Sequence, residues 1–507
     1  MKKIFLFSFF TFFSLPLFSQ EKGLDQRIDE AFQPISNFFS EVIFFKIGEN
    51  PFVIYLLVGS AAFFTIYFLF PNIRYFGTAI NVVRGKYDEV EKDDTPSQDG
   101  EVSHFQALTT AVSGTVGNGN IAGVALAIAL GGPGATFWMI VCGLMGMSLK
   151  FVECTLGVYY RDVDENGVVY GGPMYYLSKG LKEKGFSTLG KVSAILFAIF
   201  CVGGSFGGGN AAQANQAAIV LKDLLGFEST FSGAMIGIVL AIVVGIIIIG
   251  GIKRIASVTE KVVPFMALLY IVACLYILLI NFSFIDDAFA LIFREAFNPT
   301  AIGVGGVIGV LMIGFKRAAF SNEAGVGSAS IAHSAVKTKY AASEGLVALL
   351  EPFIDTVVIC TLTALVIITF NSTGTFAYGG ESGGVLIDGV MYEGAGITSK
   401  AFAEYIPFSD IFLTIAVVLF AVSTMISWSY YGLQSWKYLF GRGQLSDLTY
   451  KLLFLLFVII GSAASMNSIW AFSDAMIFAM VFPNMVGLYL LFPVVKKQLS
   501  KYLEAIK

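Results

Sequence analysis

The residues best suited to chemistry lie in the stretch GTVGNGNIAG, residues 114–123, where glycine and asparagine interrupt an apolar run. Glycine allows the backbone to leave the helix, and unwound carbonyls can bind a hard cation such as sodium. The N–H groups at a helix amino end can bind a carboxylate. An unpaired backbone group is costly in hydrocarbon, so such a break is stable only inside protein or along a cavity. The stretch therefore predicts a broken helix at a binding site.

Two alternatives exist for this stretch. Gly119 and Gly123 are four residues apart, which is the spacing of a small-residue packing seam between membrane helices. A packing seam does not account for Asn118 and Asn120, however. A nucleotide-binding loop is excluded, because the spacing is GxGxxxG and no strand precedes it.

A second polar segment, FKRAAFSNEAGVGSAS at 315–330, holds Lys316, Arg317 and Glu323 in apolar surroundings. Charges inside a membrane are usually functional, although pairing within the bundle or snorkelling near a helix end is the structural alternative. The sequence leaves both open. We expect Glu323 to be the structural partner of a basic residue.

Amides and hydroxyls mark two further segments. In GSFGGGNAAQANQAA (204–218), Gln213 and Gln216 fall on one helical face, where amides either bond between helices or contact a ligand. In AVSTMISWSYYG (421–432), the hydroxyls of Ser423, Thr424 and Ser427 can bond within their helix or complete an oxygen shell around a cation.

Buried carboxylates keep proton coupling open as a minor interpretation. Glu351 and Asp355 are four residues apart, so a helix would place both on one face, where like charges favour a shifted pKa. Glu153 also requires a partner.

The composition indicates the elements that position these residues. The chain has 507 residues, of which 56% are hydrophobic and 13% charged, whereas soluble proteins are about 25% charged. We therefore predict an all-α integral membrane protein. The net charge of −4 gives no reason to expect nucleic acid as a partner. Five cysteines in apolar runs and two histidines suggest no disulfide, metal centre or enzyme motif.

Residues 1–20 resemble a cleavable export signal, with an uncleaved first helix as the alternative. Beyond them we predict eleven spans with an amino terminus outside and a carboxyl terminus in the cytoplasm. The loops on the predicted inner side hold 21 lysines and arginines, against 6 outside. The eleven apolar runs are at 52–70, 104–130, 134–158, 192–221, 231–250, 262–281, 300–332, 343–370, 408–432, 450–467 and 471–494.

The spans divide into a leading helix, 52–70, and two sets of five, 104–281 and 300–494. Five is odd, so the second set enters the membrane from the opposite side, which is the condition for an inverted repeat. Each set opens with its most polar, glycine-rich span. Broken helices in corresponding positions of inverted halves predict a transport site near the bilayer midplane.

Several motifs resemble the alanine/glycine:cation symporter family, also called sodium:alanine symporters, over roughly residues 50–495. The resemblance implies a LeuT-type fold of ten core helices plus the leading helix. It also implies import of a small neutral amino acid such as alanine or glycine with Na⁺ across a bacterial inner membrane. The motifs are GNGNIAGVALAIALGGPGATFWM (117–139), GMSLKFVEC (146–154), GGIKRIASVTEKVVPFMALLY (250–270), KRAAFSNEAGVGSASIAH (316–333), EGLVALLEPFIDTVVICTLTALVI (344–367) and SWSYYGLQSWKYLFG (427–441).

The resemblance also implies a substrate site. The backbone at Gly117 and Gly119 would approach the substrate carboxylate, and Phe320 would limit the length of the pocket. Asn118 stands where the family commonly has threonine, which bears on specificity. The remaining residues implied near the substrate are Thr115, Asn118, Asn120 and Gln213.

The implied sodium site lies between the first broken helix and the eighth core helix. Backbone carbonyls near Ser113 and Val116 would join the side chains of Thr424 and Ser427 or Ser423. Proton coupling or another small amino acid remains the alternative within the same fold. An ion channel and a membrane enzyme are more distant alternatives, and the oligomeric state is left open.

Overall fold

The computed structural model describes residues 24–92, 100–227, 229, 231–299, 305–380 and 383–507. The predicted export signal at 1–20 lies outside these residues. The described chain is predominantly helical. Its first helices are α1 Leu24–Ile43, α2 Phe52–Tyr67, α3 Pro71–Arg74, α4 Phe76–Val83, α5 Asp88–Glu91, α6 His104–Thr115, α7 Val124–Gly131, α8 Gly134–Tyr159, α9 Pro173–Tyr175, α10 Leu181–Glu183, α11 Ser187–Phe206, α12 Ala212–Leu225, α13 Ser232–Ile248, α14 Gly251–Ile280 and α15 Ile285–Phe297.

The second half continues in the same way. Its helices are α16 Gly306–Asn322, α17 Ala329–His333, α18 Ala341–Ala348, α19 Leu350–Pro352, α20 Thr361–Phe370, α21 Ala395–Ala403, α22 Ser409–Phe440, α23 Gln444–Ala463 and α24 Met466–Ala505. Four π-helical segments join consecutive helices, at Gly119–Gly123, Tyr176–Gly180, Gly207–Ala211 and Phe353–Cys360. Two 3₁₀ turns lie at Phe282–Phe284 and Asn371–Thr373.

Strands are confined to short antiparallel pairs in the connections. The pairs are β1 Lys46–Ile47 with β2 Asn50–Pro51, β3 Asp162–Val163 with β4 Val169–Tyr170, and β5 Val385–Ile387 with β6 Val390–Tyr392. The last pair and α21 lie in the glycine-rich connection that precedes α22.

Each of the eleven predicted apolar runs overlaps a helix or a broken helix. Seven helices in the described chain are long and apolar enough to cross a membrane, or eight when the bent pair α6 and Gly119–Gly131 counts as one. Two shorter apolar helices, α2 and α13, also match predicted spans. A transmembrane helix needs about 20 apolar residues. The structure thus supports a multi-pass helical bundle, while the number of eleven spans stays a prediction.

The helices that surround the centre pack closely. Helix α6 packs against α14 and α22, and α16 contacts the π-helical turn Gly119–Gly123. Helix α8 packs against α16, α18 and α2. The two polar spans singled out in the sequence are therefore neighbours at the centre of the bundle.

Helix α1 was not predicted. It lies along α24, where the Ser36 hydroxyl donates to the Ser468 carbonyl (2.9 Å) and Phe39 packs edge-on against Phe472. Phe44, the residue that follows the end of α1, packs against Phe478. The segment before the leading helix therefore covers one end of the last helix.

Candidate functional site

The first helix break lies between α6 and Gly119–Gly123. Helix α6 begins with a capping box, in which Ser103 and Gln106 bond reciprocally. It ends at Thr115, and the next segment is bent from it by 51°. The Gly117 N–H donates to the Asn120 side chain (2.9 Å) instead of continuing the helical ladder. The Ser113 carbonyl therefore loses its usual helical donor.

Asn120 ties this break to the segment Phe353–Cys360. Its amide donates to the Asp355 carboxylate (2.6 Å) and to the Asp355 carbonyl (3.1 Å). The same carboxylate accepts from Ser321 (3.0 Å) in α16 and from Thr356 (2.6 Å). Asp355 thus joins both polar spans through neutral donors.

Asn118 ties the break to α12 through Gln213. The Asn118 N–H donates to Gln213 Oε1 (3.0 Å), and its side-chain amide donates to the Gln213 carbonyl (3.2 Å). Gln213 in turn donates to the Gly208 carbonyl (3.0 Å). The two asparagines and Gln213 replace hydrogen bonds that the unwound backbone has lost, as buried polar groups require.

The second break follows α16. Glu323 adopts a left-handed conformation with φ 55°, and Asn322 accepts from the Ala324 N–H (2.9 Å). Gly327, at φ 94°, passes so close to Pro173 that an added Cβ would lie 2.9 Å from its ring. Helix α17 begins two residues later. The sequence pattern of small and polar residues therefore coincides with a second interruption.

A central cavity lies between the two breaks. Its volume is only about 10 Å³, roughly what one water requires. An amino acid enters only if the surrounding side chains move. The cavity is lined by Gly114, Thr115, Gly119, Gly208, Gln213, Phe320, Ser321, Glu323, Thr424, Trp428 and Ile477.

Four predicted substrate residues line this cavity, namely Thr115, Gly119, Gln213 and Phe320. The other three, Gly117, Asn118 and Asn120, support the lining through the bonds just described. Sequence analysis missed Ser321 and Trp428, although both lie in motifs that it quoted. The available signal was the position of Ser321 two residues before Glu323 and of Trp428 directly after Ser427.

The predicted cation residues are close together. The Ser113 hydroxyl donates to the Ser423 carbonyl (2.7 Å), which joins α6 to α22. The Ser423 hydroxyl donates within its own helix, to the Phe420 carbonyl (2.9 Å). In contrast, the buried hydroxyls of Thr424 and Ser427 have no hydrogen-bond partner among the described residues. These two are the side-chain oxygens best suited to a cation. Val116, also predicted, is fully buried at the end of α6.

Glu323 does not have the basic partner that we expected. Its carboxylate accepts from the Ser328 hydroxyl and from the Trp428 indole (2.8 Å). Glu323 ends α16 in a left-handed turn. Its carboxylate therefore contacts residues near the central cavity and does not pair with Lys316 or Arg317, which precede it in α16. Lys316 and Arg317 pair with Asp474 of α24 instead.

A larger cavity, the charged cavity, lies beside this ion cluster. It has a volume of about 260 Å³ and contains Lys316, Arg317, Asp474, Phe44 and Trp470 in its wall. Phe320, which lines the central cavity, stacks on Trp470 with a centroid distance of 5.2 Å. This aromatic pair therefore separates the two cavities.

A buried ion ladder runs through the bundle. Lys150 pairs with Glu351 (3.0 Å) at zero exposure, and His104 contacts Glu91 (2.7 Å). Both histidines of the chain take part. Glu351 pairs with Lys150 and contacts His333, whereas the partners of Asp355 are the neutral donors described above. In order, the ladder members are Glu91, His104, Glu344, His333, Glu351 and Lys150.

Glu153 also has a buried partner. Its carboxylate accepts from the Asn484 amide (3.0 Å), which donates to the Gly325 carbonyl (2.9 Å) as well. The second break is thereby tied to α8 and α24. No group of three or more histidine, cysteine or acidic residues in the described chain is arranged to hold a metal ion.

Comparisons with known proteins agree with this architecture. The model of the sodium:alanine symporter family matches residues 33–507. The chain is 41% identical to the sodium/alanine symporter AgcS of Methanococcus maripaludis, over 90% of this chain and 95% of that protein. It is 32% identical to the probable sodium/glutamine symporter GlnT of Bacillus subtilis, over 89% and 87% respectively.

Among solved structures, the crystal structure of MhsT in complex with L-phenylalanine matches with a TM-score of 0.53 at 14% identity. The match covers 80% of this chain and 99% of that one. At this identity the likeness concerns the fold alone, which is of the LeuT type.

Proposed function

Because this chain belongs to the sodium:alanine symporter family, we propose that it imports a small neutral amino acid together with Na⁺ by alternating access. Alanine and glycine are the expected cargo. The family makes the chain a membrane transporter, and the proposal concerns its cargo, its coupling ion and its site.

The observation that carries the proposal is the pair of unpartnered hydroxyls on α22. Thr424 lies against Gly117, so close that an added Cβ there would collide with the Thr424 hydroxyl. Burying a hydroxyl without a partner is unfavourable. Sodium coordinated by Thr424, Ser427 and carbonyls near Ser113 and Val116 would satisfy these oxygens, since hard cations prefer oxygen ligands.

The substrate would bind at the adjoining break. A helical segment begins at Gly119, which lines the central cavity, and the positive end of its dipole favours a carboxylate there. Phe320 closes the other side of the central cavity and would restrict the side chain to a small one. Because the cavity is too small in this conformation, uptake requires movement of the Phe320–Trp470 pair.

The proposed organisation follows the sequence. We infer two inverted sets of five spans, 104–281 and 300–494, behind a leading helix at 52–70. The excess of lysine and arginine on alternate loops supports an outer amino terminus, a cytoplasmic carboxyl terminus and a bacterial inner membrane. Cysteines or glycosylation sites introduced at positions 400 and 497 should be modified from opposite sides of the membrane, position 400 from outside and position 497 from the cytoplasm.

Uptake of radiolabelled alanine into proteoliposomes tests the function. An inward sodium gradient should drive accumulation that glycine competes, and a potassium gradient at equal pH should not. Thr424→Val and Ser427→Ala should raise the sodium concentration needed for half-maximal uptake. Ser429→Ala is the matched control, because the Ser429 hydroxyl is satisfied by the Ile426 carbonyl (2.6 Å) of the same helix. Uptake indifferent to sodium would refute the coupling.

Proton coupling is the second candidate, and Asp355 favours it. This buried carboxylate accepts hydrogen bonds from the neutral side chains of Asn120, Ser321 and Thr356. A buried carboxylate with neutral partners can be compensated by a proton. Uptake that persists without sodium and is lost in Asp355→Asn would select this candidate.

A further inference from the structure

We propose that the charged cavity is a second binding site, which takes the carboxylate of an amino acid before it reaches the central cavity. The ligand class rests on the proposed function. The site itself rests on an excess of positive charge, on unpartnered polar atoms and on available volume.

The excess charge arises from two cations that share one carboxylate. Lys316 Nζ lies 2.8 Å from Asp474, and Arg317 pairs with the same Asp474 oxygen. Asp474 is the only acidic residue among the described residues lining the cavity. Arg317 and Asp474 are buried and Lys316 is partly exposed. Because charges taken out of water require compensation, this excess of positive charge favours a further anionic group.

Two of its polar atoms lack partners. Arg317 Nη1 and Asp474 Oδ1 are buried without a hydrogen-bond partner in the described part of the chain. Both residues are 5% exposed. A guanidinium edge beside a carboxylate oxygen matches the two ends of a zwitterion: the guanidinium can bind the ligand carboxylate and the aspartate its ammonium.

The cavity has room for such a ligand. At about 260 Å³ it greatly exceeds the central cavity, measured in the same way. Leu126, Leu130 and Ile313 provide apolar wall beside the ion cluster. Arg317 also lies over the rings of Phe320 (5.6 Å) and Trp470 (5.7 Å). A ligand bound to Arg317 would thus contact the aromatic pair that bars the central cavity.

The N-terminal segment completes the site. Ser40 of α1 and the following Phe44 belong to the wall, and Lys316 lies over the Phe44 ring at 4.4 Å. The segment formed by α1 and Phe44, which the sequence did not predict, thereby holds Lys316 in position.

Equilibrium binding of radiolabelled alanine to the purified full-length protein in nanodiscs tests the proposal. In potassium buffer, where the proposed sodium-dependent site is empty, the wild type should still bind alanine at the charged cavity. Propionate, which has only the carboxylate, should displace it, whereas ethylamine should not. Added sodium should reveal a second class of bound alanine.

Lys316→Met is the decisive variant, because it leaves Arg317 and Asp474 as a neutral pair. Because the ligand carboxylate then meets no net positive charge, alanine binding in potassium buffer should weaken by about ten- to a hundredfold, the range for losing an interaction with a charged group. Lys316→Arg should retain that binding. Lys400→Met is the matched control. Lys400 also lies over an aromatic ring, with its Nζ 5.1 Å from the centre of the Tyr392 ring, but it does not belong to the cavity wall.

Two results would overturn the proposal: absence of alanine binding in potassium buffer, or binding there that Lys316→Met leaves unchanged. Failure of the proposed function would look different. In that case sodium would add no second class of bound alanine, while the Lys316-dependent class would persist.

Discussion

The substitution Gly117→Ala gives the sharpest test of the sodium site. A methyl group at this position would collide with the Thr424 hydroxyl and would lie 3.1 Å from Gln213 Oε1. Gln213 is held by the Asn118 N–H, so it cannot retreat without losing that bond. Thr424 would therefore have to move, and with it one of the two unpartnered hydroxyls of α22.

The expected magnitude follows from overpacking, which costs about 1–3 kcal/mol in a tightly packed site. If that cost falls on the sodium-bound state, sodium affinity decreases roughly 5- to 140-fold, at 1.4 kcal/mol for each factor of ten. The readout is the sodium concentration for half-maximal alanine uptake into proteoliposomes, with protein abundance in the vesicles measured in parallel.

Gly119→Ala is the control, since its methyl group would meet Ser321 at 3.4 Å, an ordinary contact. We expect it to affect sodium dependence far less. The steric argument also predicts that Gly117→Ala costs less in a Thr424→Ala background, where the colliding hydroxyl is gone. An equal cost in both backgrounds, or unchanged sodium dependence in Gly117→Ala, would refute the reasoning.

Three further predictions concern buried polar groups. Lys150→Met should lower the free energy of unfolding by about 3–5 kcal/mol, because Glu351 then lacks its buried cation, and adding Glu351→Gln should restore most of the thermal midpoint in detergent. Asn118→Thr removes the side-chain amide that donates to the carbonyl of Gln213, a residue of the cavity lining, so the KM for alanine should rise roughly tenfold while the sodium dependence stays unchanged. Burial would raise the Glu91 pKa, but the hydrogen bond and charge of His104 hold it below the usual glutamate value of 4.5. This carboxylate therefore stabilises the fold above pH 4.5, the contribution is lost as pH falls through the lower folded pKa, and Glu91→Gln should flatten the acid limb of a thermal-stability profile.

The broken helices could be predicted from sequence because their signal is local. Glycine and asparagine inside an apolar run are costly in a membrane unless they have a function, and both polar spans are interrupted as expected. The partners of the buried charges could not be predicted, because they lie far apart in the chain. Lys150 and Glu351 are separated by 201 residues, and Asn120 and Asp355 by 235.

Helix α1 escaped prediction for a different physical reason. A search for spans looks for continuous apolar residues, whereas α1 carries Asp, Glu and an internal Pro34 and lies along α24. The charged cavity was therefore invisible as well, since part of its wall comes from this segment. Sequence analysis did identify Lys316 and Arg317 as charges that needed an explanation, but it left their partner open, and that partner is Asp474 of α24.

The buried ion ladder has a consequence for chimeric transporters and for sequence drift. In the proposed division of the spans, His104 and Lys150 belong to the first set, whereas His333, Glu344 and Glu351 belong to the second. A hybrid that joins the first half of this chain to the second half of a relative will have unmatched buried charges unless that relative carries the same residues. Substitutions at the ladder positions should accordingly occur together, so these residues have to be exchanged as a set when a hybrid transporter is made.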